Sequence, residues 1–312
     1  MPDLLYISPH NNVMNWSVGF SVGFRELLQA QMVMPAMVAE ETALFQHLDL
    51  RAISVAREAF IELQDRPETS VFFADVQSMP IDLFANGRRK LYGFLHGGPY
   101  EPFDPYAAKP AVYHRAFRAK VDCLDEIWVA THYHKMLVRT YLERDLDSKV
   151  KVVGFPCIAA GLGWEIPFEK KEGVIYVSRQ SKDKGVDIAR ALDIPTVRFD
   201  DRWAYFKALA KAKYVLVPSR KDTFGLVASE AFQVGTIPLV PRGLCYPELY
   251  TFDYPFYLDL LKADRIAEQL DELDNVDEKT YKDSVELGRQ VAMAVHQEFK
   301  HHLLELRGAL DA

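Results

Sequence analysis

Short apolar runs alternate with amphipathic stretches along most of this chain, and that alternation most narrows what it can fold into. "DLLYIS", "TSVFFADV", "KLYGFLH", "DEIWVAT" and "KVKVVGF" read as buried strands in the first half. "GVIYVSR", "IPTVRF", "KYVLVPS" and "TIPLVPR" repeat the arrangement in the second. Helical patterns over 21–34, 132–144, 184–192, 202–212 and 225–234 separate several of them. Strands alternating with helices predict an α/β protein whose parallel sheets are covered on both faces. The stretch "FPCIAAGLGWEIPFEKKEG" has proline, glycine and no clear period, and reads as a linker between two Rossmann-like halves. The expected domains are 1–155 and 156–282. The charged stretch 279–310 is strongly helical, and 283–312 is expected to pack back on the first domain as a helix.

Length and charge exclude several classes. With 312 residues the chain can bury the cores of two domains. A net charge of -7 gives no global signature for nucleic acid. No apolar run is long enough to span a membrane. The opening "MPDLLYISPHNN" lacks a basic region followed by an apolar one, so no signal peptide is expected. Cys123, Cys157 and Cys245 are too scattered for a disulfide framework or a zinc site, and no metal is expected. A reducing, cytoplasmic compartment is the expectation.

Two doubly wound domains bind ligands beyond the carboxyl ends of their strands, so residues directly after strands carry most information. In "VIYVSRQSKDKGVDIA", Arg179 and Lys184 follow a strand at the mouth of a helix. Helix N-terminal N–H groups with two added cations suit a diphosphate. A solvated basic turn accounts for the same residues. In "SRKDTFGLVASEAF", Asp222 lies on the loop after a strand, and Gly225 permits close backbone approach to a ligand. The N–H groups of Phe224, Gly225 and Leu226 are expected to face the same crevice. Glu230 lies about a turn and a half into the following helix. A carboxylate there suits ribose hydroxyls. An acidic helix N-terminus stabilised by the dipole explains Asp222 equally well, but leaves Glu230 in an apolar helix unexplained.

"PSRKDTFGLVASEAFQVGTIPLV" resembles the signature of the GT4-type retaining glycosyltransferases of the GT-B fold. The matching residues are Pro218, Ser219, Asp222, Phe224, Gly225, Glu230, Ala231, Gly235, Thr236 and Pro238. "YVSRQSKDKG" resembles the family's second motif, with Ser178 in place of its usual glycine. Asp222 departs from the family's usual glutamate. The resemblance implies two Rossmann-like domains facing each other across a cleft, and a UDP- or GDP-sugar donor held by the second. It implies that Arg179 and Lys184 neutralise the leaving diphosphate without a metal, and that Glu230 holds the ribose. Asp222 and the N–H groups near Gly225 would hold the sugar, with Ser219, Phe224 and Leu226 lining the donor site. The acceptor hydroxyl attacks on the face the leaving group departs from. "DLD" at 145–147 resembles a metal motif of the other glycosyltransferase fold, and is discounted on a polar helix end.

The first domain matches less closely. In "LYGFLHGGPY", His96 ends a strand and is followed by Gly97 and Gly98. In the family a histidine after this strand often contacts the reacting sugar; a satisfied structural histidine is the rival. His10, Asn11 and Asn12 are weaker candidates for the acceptor side. About thirty residues separate "DKG" from "VPS", fewer than usual for the family, so a strand–helix unit is expected to be missing.

For the acceptor only charge distribution speaks. Residues 86–120 carry Arg88, Arg89, Lys90, Lys109, Arg115, Arg118 and Lys120 against Glu101 and Asp104, interleaved with Tyr92, Tyr100, Phe103, Tyr106, Tyr113 and Phe117. Basic and aromatic residues together suit a nucleic-acid backbone and an exposed base, here expected to flank His96. Ordinary surface charge is the alternative. The layout "KLYGFLHGGPY", then "DEIWVATHYHKMLV", then "KVKVVGFP" resembles a GT4-like branch that includes the tRNA-queuosine mannosyltransferase and, more loosely, phage enzymes that glycosylate hydroxymethylated DNA bases. A hydroxymethylated base in DNA is therefore the expected acceptor. tRNA, a polysaccharide, a lipid-linked sugar or a small metabolite are alternatives, and membrane insertion is not expected. A non-catalytic nucleotide-binding protein of the same fold is the alternative of another class.

Overall fold

The computed structural model describes residues 4–8, 15–33, 48–101, 103, 107, 111–143, 148–157, 166–197, 202–251, 253–259 and 261–311. The chain divides into two units, one of Met1–Pro156 with Gln297–Ala312, the other of Cys157–His296.

In the first unit, β1 (Leu4–Ile7), β2 (Gln31–Val33), β3 (Ser70–Phe73), β4 (Leu91–Phe94), β5 (Glu126–Val129) and β6 (Val150–Val152) form one parallel sheet. Its order is β2-β1-β3-β4-β5-β6. The helices are α1 (Asn15–Leu28), α2 (Leu48–Glu62), α3 (Ala111–Cys123) and α4 (His132–Leu142). Successive strand side chains point to opposite faces. Leu5, Ile7, Val71 and Phe73 therefore join one core with Ala52, Val55 and Ala59 of α2, Phe117 and Val121 of α3, and Val138 of α4. The opposite face is aromatic. Phe24 of α1 lies 4.2 Å from Phe72, which lies 5.0 Å from Trp128.

In the second unit, β7 (Glu172–Ile175), β8 (Ala212–Leu216), β9 (Ile237–Pro241) and β10 (Tyr257–Leu258) run parallel in the order β10-β9-β8-β7. Its helices are α5 (Val186–Ala191), α6 (Arg202–Lys211), α7 (Leu226–Gln233), α8 (Tyr246–Tyr250) and α9 (Ala263–Glu272). A parallel bridge joins Tyr176, just past β7, to Thr196. From β7 the chain thus goes first to Thr196, then to β8 on β7's other side. The gap between β7 and β8 is a topological switch point, where sheets of this kind take ligands at their carboxyl ends.

A long helix, α10 (Glu278–Asp311), closes the chain. Its first part packs on α7 so tightly that a Cβ on Gly288 would lie 2.3 Å from the Phe232 ring. Its last part, in the first unit, covers the aromatic face. Phe299 lies 4.7 Å from Phe20, and Leu303 and Phe299 meet α1 at Gly23.

Two sequence expectations change. The helix expected over 21–34 ends at Leu28, where Gln29 takes φ 52°, and Gln31–Val33 becomes β2. The short "QMV" fits a strand as well as a helix, and the edge of β1 offers it a ladder, Leu5 opposite Gln31. Among the described residues the "IPTVRF" strand gives a single bridge at Thr196, and 198–201 lie outside them.

Candidate active site

The switch point of the second unit gathers most of the expected donor residues. The turn after β7 carries Arg179 and Lys184. Tyr176 shapes it, donating its hydroxyl to the carbonyl oxygens of Arg179 at 2.7 Å and Lys184 at 3.1 Å. Gly185 closes it at φ 75°, with the Pro218 carbonyl oxygen 2.3 Å from where a Cβ would stand. That contact presses the turn onto the loop after β8. Arg220 fastens the two together. Its N–H donates to the Asp183 carbonyl at 2.8 Å, and its guanidinium grips the Asp187 carboxylate at 2.8 and 2.9 Å. The guanidinium hydrogen bonds hold the Asp187 carboxyl below its ordinary value.

Asp222 is the hub. Its Oδ1 accepts the N–H groups of Phe224 at 3.2 Å and Gly225 at 3.0 Å. Its Oδ2 accepts Lys184 Nζ and the Tyr246 hydroxyl, each at 3.0 Å. Burial pushes this carboxyl up, but the Lys184 ammonium and the two N–H groups outweigh it and hold the acid below its usual range. Two N–H groups expected to face a ligand are thus taken by Asp222 itself. Its side chain is one methylene shorter than glutamate, and folds back onto the N–H groups just ahead of α7 rather than reaching outward.

Lys184 Nζ also donates to the Lys221 carbonyl at 2.8 Å. An ammonium has three donors, so one N–H is left over. Arg179 pairs with Asp183 at 2.9 Å and is 52% exposed, with most of its guanidinium fork uncommitted. Glu230, on α7, is 1% exposed and accepts the Tyr205 hydroxyl at 2.7 Å. The Ser219 hydroxyl is buried with no hydrogen-bond partner among the described residues. Phe224 is buried, and Leu226 opens α7.

In the first unit, His96 follows β4 and donates from Nε2 to the Ala74 carbonyl at 2.5 Å, just past the end of β3. Its ring lies 4.7 Å from Phe94 and 5.9 Å from Phe20. The basic-aromatic segment does not gather around it. Arg88 lies in the turn before β4, where Asn86 Oδ1 accepts its N–H. It therefore stands at the amino end of the strand whose carboxyl end carries His96. Arg118, on α3, donates to the Tyr141 carbonyl at 3.0 Å and covers that ring at 5.1 Å. Arg115 is exposed on the same helix. Tyr100 and Phe117 are core residues. The expectation that these cations and rings flank His96 is corrected for Arg88, which strand direction sets at the other end of β4, and for Phe117, which helix periodicity turns into the core. His10, Asn11, Asn12, Asp104, Tyr106, Lys109 and the "DLD" at 145–147 lie outside the described residues.

Among the described residues, no group of three or more His, Cys, Asp or Glu side chains could hold a metal ion. No described helix is long and apolar enough to cross a membrane. Sequence reading missed Tyr176, Tyr205, Arg220 and Tyr246. Tyr205 and Tyr246 lie on helices outside both motifs, so no spacing pointed to them.

Two doubly wound units, each with a parallel sheet, give the chain the GT-B fold. Solved structures that share it include glycosyltransferases of that fold. Sucrose-phosphate synthase (tll1590) of Thermosynechococcus elongatus superposes with a TM-score of 0.76 at 11% identity, over 99% of each chain. Anabaena Alr3699/HepE in complex with UDP gives 0.70 at 12%, over 97% of this chain and 100% of that one. A UDP-forming α,α-trehalose-phosphate synthase of Burkholderia vietnamiensis gives 0.70 at 12%, over 100% and 98%. At such identities the likeness is one of fold. No family model matches the chain, and no curated protein matches its sequence.

Proposed function

We propose that the chain is a retaining, metal-independent glycosyltransferase that moves a sugar from a UDP- or GDP-sugar to an acceptor hydroxyl. One observation carries this reading: the switch point between β7 and β8 joins a two-cation turn to a carboxylate-bearing helix through Lys184 and Asp222. The remaining N–H of Lys184 and the open fork of Arg179 suit the oxygens of a leaving diphosphate. Stabilising that developing charge, with positioning, is the chemistry such a site supplies. Glu230 accepts the ribose hydroxyls, and the unpartnered Ser219 hydroxyl adds a donor. The sugar lies beyond Asp222, and His96 acts on it. The UDP complex of the Anabaena protein and the UDP-forming activity of the Burkholderia protein support a nucleotide donor here. Three scattered cysteines are in keeping with a reducing cytoplasm, the compartment we propose.

A hydroxymethylated base in DNA is the first acceptor to offer, on the resemblance of the later first unit to nucleic-acid-modifying enzymes. The test incubates the protein with pooled nucleotide sugars and hydroxymethylated-base DNA, unmodified DNA or bulk tRNA, then weighs the digested nucleosides. A hexose-sized gain on hydroxymethylated nucleosides alone supports the DNA acceptor. A gain in tRNA alone moves the acceptor there. Nucleoside diphosphate released without either gain sends the search to polysaccharides, lipid-linked sugars and small metabolites. Nucleotide bound with no turnover supports a second reading, a non-catalytic nucleotide-binding protein. The four hydrogen bonds that occupy Asp222 favour that second reading.

A further inference from the structure

The Asp222 carboxylate is fully engaged inside the protein. An ionised carboxylate offers about four lone-pair sites on its two oxygens. Among the described residues four donors fill them: the N–H groups of Phe224 and Gly225 on Oδ1, and Lys184 Nζ and the Tyr246 hydroxyl on Oδ2. The first three belong to the turn after β7 or to Asp222's own loop. The fourth comes from α8, beyond β9, and has a footing of its own. Tyr246 is buried, its ring stacks at 6.4 Å on that of Tyr250, and its carbonyl accepts the Tyr257 hydroxyl at 3.1 Å. Burial, with the Asp222 carboxylate adding to it, holds the Tyr246 phenol well above its ordinary range, so the phenol keeps its proton and donates it. Lys184 Nζ lies between the two carboxyl-end loops of the switch point, held by Asp222 Oδ2 and the Lys221 carbonyl. Two fixed hydrogen bonds set the rotation of an ammonium, and so the direction of its third N–H.

We infer that Tyr246 is a positioning residue for the leaving diphosphate: through Asp222 it fixes the Lys184 ammonium, and Asp222 serves that alignment rather than the donor sugar. The inference rests on the proposed reading that Lys184 meets the diphosphate of a nucleotide donor. Tyr246 acts through Asp222 and Lys184, without touching the nucleotide itself. Without its hydroxyl the carboxylate keeps the N–H groups of its own loop but loses its tie to α8, and can turn about them. Lys184 then turns with it, and its third N–H no longer holds one direction. A cation that must be reoriented on binding stabilises a phosphate less than one already in place.

Equilibrium titration of the full chain with UDP and uridine, and with GDP and guanosine, tests this. The ratio of the affinities within each couple reads the diphosphate alone. Tyr246→Phe is expected to lower that ratio about threefold to tenfold, the usual worth of one hydrogen bond, and to leave the nucleoside affinity unchanged. Asp222→Asn is expected to lower it at least as far. In a Lys184→Met background Tyr246→Phe adds nothing, because the group it positions is gone. A Tyr246→Phe protein that keeps the wild-type ratio overturns the inference. So does an Asp222→Asn protein that keeps it, since Asp222 then serves the donor sugar, which UDP and GDP lack. A fall of equal size in the Lys184→Met background marks a structural role and overturns it as well. Wild-type protein that binds neither diphosphate more tightly than its nucleoside overturns the donor reading itself, a result distinct from these.

Discussion

Lys184 Nζ and Asp222 Oδ2 stand 3.0 Å apart and, beside the Arg220–Asp187 pair, form an ion pair that joins the turn after β7 to the loop after β8. Both side chains are largely buried, so the pair is screened less than a surface ion pair. Asp222 has its acid constant held below its ordinary value of 3.8, chiefly by Lys184 and two N–H groups working against burial. A depressed carboxyl contributes stability that is present above the unfolded value and is lost as pH falls through the folded one. Asp222→Asn keeps the shape but turns an N–H₂ group or an uncharged oxygen toward Lys184. Urea unfolding near neutral pH is expected to show a loss of about 2–3 kcal/mol. Below about pH 4 the wild-type curve falls toward that of the variant. Two curves that stay parallel down to acid pH would show that the pair contributes nothing.

Gly185 and Gly225 both take positive φ, at 75° and 65°, yet their substitutions differ in outcome. A Cβ on Gly185 meets the Pro218 carbonyl at 2.3 Å, a backbone atom that cannot turn away. A Cβ on Gly225 meets the end of the Leu249 side chain at 2.8 Å, which can. Each alanine carries the left-handed penalty of about 1–2 kcal/mol. Gly185→Ala adds displacement of the turn that carries Lys184, so it is expected to cost more stability and to weaken UDP binding. Gly225→Ala is expected to bind UDP more nearly as wild type does. Equal midpoints and equal affinities for the two variants would contradict the assignment of that contact.

The parts legible in the sequence were those whose cause is local. Apolar runs such as "SVFF" and "YVLV" marked strands because a parallel sheet buries both faces of each strand. The meeting of Lys184 and Asp222 was legible because each lies on the connection that follows a strand, β7 and β8. Elements set by partners elsewhere were not. "QMV" is a strand because β1 has an edge to fill, and nothing in those three residues states it. Tyr205 meets Glu230 across α6 and α7, 25 positions away, and Tyr246 meets Asp222 from a helix beyond β9. The basic-aromatic segment misled for the converse reason. Sequence proximity mixed Arg88, before β4, with Phe117, a core residue of α3, and the fold sends them to different places.

The last part of α10 is expected to stabilise the first unit. Phe299 is buried against Phe20 at 4.7 Å and Trp128 at 6.4 Å, and Leu303 packs where Gly23 leaves room. Phe299→Ala empties an aromatic-sized space and is expected to cost about 3–5 kcal/mol. Leu304, the neighbour of Leu303, is 52% exposed, and Leu304→Ala is expected to change stability by less than about 0.5 kcal/mol. Thermal melts of the two variants separate these outcomes. Similar losses from both would mean that the helix packs by a different face.

His96 and Lys184 are expected to fail in different kinetic parameters. On the proposed reading Lys184 offers its remaining N–H to the diphosphate, so Lys184→Ala is expected to weaken UDP binding about tenfold to a hundredfold, as loss of a charge-assisted contact does. Arg179→Ala acts in the same direction but less, because that side chain is half exposed. His96 belongs to the other unit, where its Nε2–H is fixed by the Ala74 carbonyl. The neutral ring then carries Nδ1 as an acceptor, able to meet a sugar hydroxyl. His96→Gln keeps an N–H for the Ala74 carbonyl but lacks the ring nitrogen. It is expected to leave the UDP dissociation constant unchanged while the rate of sugar release falls about a hundredfold. Equilibrium titration and turnover of the same preparations separate the two effects. A His96→Gln protein that loses UDP affinity as Lys184→Ala does would remove His96 from the transfer step.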